Sequence, residues 1–202
     1  MAKAVRDIDR GYARIIRTLA ELKGKEIAVG LQAGDVHKES GMDVARLAAI
    51  HEFGATINFK ARTQTVYHKI SASGDFSNGG RFVKARKSNF ARDVSVGAHY
   101  IVIPARPFVR RTFDEKHVAW HNTAQAQVGL VIDGKKSTSA ALATIGNVME
   151  RDIKAKIADG PFLPNAPSTV RRKKSAKPLI ESGRMRQSVR HVVRRRGSGR
   201  VT

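Results

Sequence analysis

The chain contains no cysteine, which excludes disulfides and any metal site built on thiolates. It has no apolar run near the roughly 20 residues that a membrane-spanning helix needs. Met1 to Arg10 lacks the apolar stretch of a secretion signal and reads as the start of a helix. These absences lead to the expectation of a soluble protein assembled in a bacterial cytoplasm. Acidic residues are scarce: 17 Asp and Glu stand against 38 Lys and Arg, a net charge of +21. Such an excess favours an anionic partner, whether nucleic acid, a membrane surface or an acidic protein face.

Catalytic constellations are also missing. His117 and His121 are four apart, the helical spacing at which two imidazoles share a metal, but there is no HExxH and no third ligand nearby. Asp114 and Glu115 are adjacent and point in different directions on a helix, so they do not form an acid–base pair. No serine sits in a nucleophile elbow, and no phosphate-binding loop or GxGxxG precedes a helix. No carboxylate set resembles a two-metal nuclease. No catalytic, cofactor or metal site is therefore expected, and the chain does not read as an enzyme.

What is present is a core. A hydrophobic fraction of 41% in 202 residues suffices for one medium domain with additional segments. Val5, Ile8, Tyr12, Ile15, Leu19 and Leu22 recur at spacings of 3 and 4, one face of a helix that Gly24 ends. That face packs on its own domain or forms a seam between subunits. Glu26–Leu31 reads as a strand, and Asp43 as the N-cap of a helix over Val44–Phe53 that stops at Gly54. His99–Ile103 is a second strand, stopped by Pro104, and Pro107 opens the next helix, which carries Phe113, His117 and Trp120. Ser137 or Ser139 caps a further helix with Leu142, Ile145, Met149, Ile153 and Ile157 on its apolar side. Val189–Val193 is a last strand candidate.

Between about Asn58 and Val96 the chain is basic and poor in large aliphatics. Val66–Ile70 and Arg81–Val83 are strand-like and flank Asn78-Gly79-Gly80, a pair type that favours the positive φ angles of a hairpin turn. The mixed order of elements predicts an α+β fold, with a small, mostly antiparallel sheet covered by helices. The expected organisation is a single core domain from 1–57 and 97–193, a projecting β-hairpin arm inserted at 58–96, and a basic flexible tail at 194–202. Ser182 is expected to cap the turn that follows it.

The positive charge concentrates at the C-terminal end: from Ala166 to Thr202 there are 12 Lys or Arg and a single acid, Glu181. Arg171, Arg172, Lys173 and Lys174, and then Arg194, Arg195 and Arg196, form runs that contact phosphate non-specifically or stand as solvated surface. No zinc finger, helix-turn-helix or aromatic platform for reading a base sequence is found.

Four segments, in order, resemble the tail-completion family of tailed bacteriophages, the tail-to-head joining (neck) proteins that include the minor tail protein Z type. They are Ala48-Ala49-Ile50-His51-Glu52-Phe53-Gly54, Ile103-Pro104-Ala105-Arg106-Pro107-Phe108, Gly160-Pro161-Phe162-Leu163-Pro164-Asn165-Ala166-Pro167, and the stretch from Lys177 to Ser188 (KPLIESGRMRQS). Asn78 to Lys84 is similar to an insertion seen in some members. The basic tail beyond Val193 departs from the family pattern.

The resemblance implies a virion structural protein of the head–tail junction that forms a ring and joins the tail to a DNA-filled head. It implies a homo-oligomer, a hexamer first and a dodecamer second. Its neighbours would be tail-terminator, tail-tube and head-connector proteins, and it would be assembled in the host bacterial cytoplasm. Candidate subunit contacts are Arg81, Phe82 and Val83 on the hairpin, Arg106 and Phe108 at the proline corner, and Leu179, Arg184 and Arg186. The same proline- and glycine-locked motifs also read as corners that specify the fold. Lumen-facing basic residues would screen DNA phosphates in the channel. The alternative is a non-specific nucleic-acid-binding protein, which explains the charge but not the proline-locked motifs.

Overall fold

A computed structural model describes residues 11–32, 34–37, 41–173 and 175–197. They form two compact units: one from the chain up to Gly54 and from Pro104 onward, the other from Ala55–Ile103. The class is α+β, with helices predominating and every strand in a small antiparallel ladder.

In the first unit, helix α1 spans Tyr12–Lys23, with Gly24 at its C-cap. Its stripe is clear in sequence, yet no residue of α1 is buried; Tyr12, Ile16 and Leu19 are exposed. Arg14 Nη2 ties the helix down by donating to the Ile132 carbonyl (3.2 Å). Val5 and Ile8 lie outside the described residues. Strand β1 (Lys25–Leu31) pairs with β6 (Val189–Arg195), from Lys25↔Arg195 to Leu31↔Val189. Helix α2 (Val44–Phe53) starts where the Asp43 carboxylate accepts from the N–H groups of Ala45 (2.7 Å) and Arg46 (3.3 Å), satisfying donors with no partner inside the helix. Gly54, at φ 76°, ends it.

Helix α3 (Phe108–Ile132) follows Pro107, and α4 (Thr138–Asp159) follows Ser137, whose hydroxyl accepts from Ala140 N–H (3.3 Å). α4 packs along α3 and across β6 and β1. Gly146 lets the sheet approach: a Cβ built there would lie 2.3 Å from the His191 ring. The core joins Val44 and Ala48 of α2, Phe108 of α3, Ile153 and Ile157 of α4, and Leu179, Met185 and Val189. Phe108, Ile153 and Ile157 are at most 2% exposed, so each contributes about 1.5–3 kcal/mol of burial. Two short helices, α5 (Pro167–Lys173) and α6 (Arg184–Gln187), precede β6.

The second unit is a two-stranded ribbon. β2 (Ala55–Phe59) pairs with β5 (His99–Ile103), and β3 (Arg62–His68) with β4 (Phe90–Val96). Both ladders keep the same register, from Ala55↔Ile103 to His68↔Phe90, interrupted at Lys60–Ala61 and Gly97–Ala98. At its tip Val66 and His68 are buried, and His68 is ringed by Phe76 (centroids 4.9 Å apart), Phe82 (5.1 Å) and Phe90 (6.5 Å). The Asn89 side chain closes the tip, accepting from Ile70 N–H and donating to the Ile70 carbonyl, both at 2.8 Å.

Several expectations are corrected. His99–Ile103 belongs to the ribbon and pairs with Ala55–Phe59, so the inserted unit runs from Ala55 to Ile103 and exceeds 58–96 at both ends. The returning strand is Phe90–Val96; Arg81–Val83 is extended but joins no ladder, and Ser77–Gly80 is a 3-10 turn. Ser182 caps nothing: Gly183, at φ 74°, occupies the N-cap of α6. The last strand continues through Arg195, so a tail does not begin at 194. Residues 198–202 lie outside the described set. Among the described residues no helix is long and apolar enough to cross a membrane.

Candidate functional site

The four segments singled out in sequence meet in one polar network of the first unit. Its centre is Glu52, 5% exposed at the end of α2. One carboxylate oxygen accepts from Val109 N–H (2.9 Å); the other accepts from Arg110 N–H (3.0 Å) and Arg110 Nε (3.2 Å). Glu52 thus caps the first turn of α3, a position that no residue adjacent to that helix fills. A carboxylate there satisfies unpaired donors and sits in the favourable field of the helix N-terminus. The Arg110 guanidinium also donates to the Glu52 carbonyl (3.1 Å) and covers the Phe53 ring at 5.1 Å.

Arg106, 5% exposed, links this corner to the third segment. Its N–H donates to the His51 carbonyl (2.6 Å), its Nε to the Leu163 carbonyl (3.2 Å) and its Nη2 to Asn165 Oδ1 (3.2 Å). Arg111 Nη1 donates to the Pro161 carbonyl (3.1 Å). Asn165 Nδ2 donates to the Lys177 carbonyl of the fourth segment (3.5 Å), Lys173 Nζ, from the stretch between the two segments, to the Pro178 carbonyl (3.0 Å), and Arg184 Nη1 to the Val36 carbonyl (2.9 Å).

A small cleft of about 50 Å³ opens beside His51, lined by Lys173, Glu181 and Arg184. His51 Nδ1 is buried without a hydrogen-bond partner. Burial first, and then the charges of Arg106 and Lys173, hold its imidazole down to about 4, so the ring is neutral near pH 7. Burial likewise lowers Lys173 and Arg106 from their ordinary values.

The candidate contact residues separate into two groups. Phe108, Leu179 and Arg106 are buried inside their own unit, where they hold the fold and present no side-chain surface to a neighbour. Arg81 and Phe82 are exposed on the ribbon, with Val83 partly covered. Arg186 is exposed and lines an open cleft of about 490 Å³ with Glu150, Lys154 and Asp159; Arg184 is half-buried.

The basic runs divide as well. Arg171 and Arg172 are exposed on α5, whereas Lys173 is tied to Pro178, and Lys174 lies outside the described residues. Arg194 is half-buried and paired with Glu26 (2.6 Å), and Arg195 and Arg196 are exposed. His117 turns Nδ1 to the carbonyls of Phe113 and Asp114 in its own helix. No group of three His, Asp or Glu suited to a metal occurs among the described residues.

Sequence reasoning missed the capping role of Glu52 and the aromatic ring around His68. Neither has a local signal, because each depends on residues brought together by the fold. No family model, no curated protein and no solved structure matches this chain.

Proposed function

We propose that the protein is a tail-completion subunit of a tailed-bacteriophage head–tail junction, a virion component that works by assembly. The observation that carries the reading is the convergence of the four family-like segments on one network: Glu52 capping α3, Arg106 bridging from the His51 carbonyl to Leu163 and Asn165, and Asn165 reaching the Lys177 carbonyl. Segments far apart in sequence that resemble one family in order, and that also lock together, behave as a single structural signature. The inserted ribbon supports the reading too, since an element of this kind offers strand edges and the exposed Phe82 to an adjacent copy.

In this reading subunits close into a ring, a hexamer first and a dodecamer second, between tail-terminator or tail-tube proteins and the head connector. Burying exposed surface between subunits would add stability that the lone chain lacks. A second reading, a non-specific nucleic-acid-binding protein, is favoured by the exposed Arg171, Arg172, Arg195 and Arg196.

The test is the mass of the purified chain, alone and mixed with tails that lack it. Rings forming on such tails and making them competent to join heads are the expected result. A chain that ignores tails and coats duplex DNA would overturn the first reading in favour of the second.

A further inference from the structure

The ribbon carries eight Lys or Arg and two acids, Asp75 and Asp93. Both carboxylates are engaged by hydroxyls: Ser73 Oγ donates to Asp75 (2.8 Å) and Thr65 Oγ1 to Asp93 (2.7 Å). None of the eight cations is in an ion pair among the described residues, although eight pairs of Lys or Arg with a carboxylate, five of them with a lysine, occur in the first unit. Five of the cations, Lys69, Arg81, Lys84, Arg86 and Lys87, fall in the tip and all are exposed. The tip that carries them is built to hold its shape, around the buried Val66 and His68 and the Asn89 clasp on Ile70.

Like charges gathered on a fixed frame repel one another, so an arrangement of this kind is stabilised by an external anion of comparable charge density. Duplex DNA carries one negative charge per roughly 1.7 Å of its axis, whereas protein surfaces ordinarily intersperse both signs. A two-stranded ribbon also fits the dimensions of a major groove. Asn89, an amide of the kind that reads adenine, is committed to the Ile70 backbone.

We propose that the ribbon tip, through Lys69, Arg81, Lys84, Arg86 and Lys87, binds the phosphate backbone of duplex DNA without reading its sequence. The site is separate from the C-terminal basic runs, and it depends on neither functional reading above.

The experiment measures binding of a short duplex to the full chain by fluorescence anisotropy across salt concentrations. The quadruple variant R81A/K84A/R86A/K87A is expected to lower the slope of log K against log salt by about 3 to 4, equivalent to roughly 100-fold of the affinity lost between 50 and 200 mM salt. R81K/R86K, which keeps the charge, is expected to bind like the parent. The comparison variant R171A/R172A/R195A/R196A should leave the tip's share of the slope in place.

An unchanged slope in the first variant would overturn the proposal. So would an equal loss in R81K/R86K, a slope change confined to the C-terminal variant, or no duplex binding by the parent at low salt, the outcome expected of a tip that meets an acidic protein face. Ring formation on tails is a separate readout on the parent chain, so failure of either result is distinguishable from failure of the other.

Discussion

Glu52 offers the sharpest test of how the first unit is held together, because two explanations of its ion pair with Arg110 predict different numbers. If its main role is to cap α3, Glu52→Gln removes the charge at the helix N-terminus and sets an NH2 group against a backbone N–H donor. The loss is then one charge-assisted hydrogen bond, about 2 kcal/mol, and the helix-terminus term, about 1 kcal/mol. A total near 3 kcal/mol is expected for a side chain 7% exposed. Arg110 is different: its side chain is 59% exposed, and truncating the solvated partner of a pair costs only about 0–1 kcal/mol. Urea unfolding of the parent, Glu52→Gln and Arg110→Ala should therefore give a large shift in midpoint for the first variant and a small one for the second, with unchanged slope in both. Equal losses in the two variants would refute the capping argument, and so would a Glu52→Gln variant within 1 kcal/mol of the parent.

His51 supplies a pH dependence whose sign is fixed by its surroundings. The folded imidazole is held to about 4 against an ordinary 6.5, so the unfolded chain takes up a proton that the folded one refuses. Stability should fall by up to about 3 kcal/mol as pH drops from 6.5 through 4, and His51→Phe should remove that part of the profile in chemical denaturation measured across the window. Gly146→Ala should cost about 1–3 kcal/mol by forcing the His191 ring off the helix, and much of that cost should vanish when His191→Ala is added. Arg106→Lys should cost about 2 kcal/mol by calorimetry or urea titration, since an ammonium cannot reach Leu163 and Asn165 together.

The signals legible in the sequence were those that act over one turn. Asp43 and Ser137 announce helices because their side chains bond N–H groups two or three residues ahead. Gly54 and Pro107 mark a stop and a start because their backbones favour those angles. The aliphatic and β-branched residues of Glu26–Leu31 and Val189–Val193 mark both strands of the first unit, though not that they pair with each other. The ribbon was harder. Arg81-Phe82-Val83 has the strand-like residues, while the true return strand, Phe90–Val96, carries Arg92 and Asp93 and lacks a continuous apolar face. Ala55–Phe59 was hidden by following Gly54 directly and by having most of its residues exposed. At the candidate site, Arg106, Phe108 and Leu179 stand out in the sequence as contact residues because the motifs containing them are distinctive. Their burial shows that distinctive corners can owe their residues to internal packing.

The pairing of β1 with β6 also sets an order of events during synthesis. β1 is complete at Leu31, but its partner begins only at Val189. At ordinary translation speeds that interval lasts roughly 10 to 30 s, and closing so long a loop carries an entropic cost that no local contact offsets. Throughout it the sheet is missing, and the face of α4 around Gly146 has nothing to lie against. The ribbon has no such delay, since every strand in it lies between Ala55 and Ile103. A nascent chain will therefore carry a finished ribbon while the unit that flanks it in sequence is still waiting for its last strand.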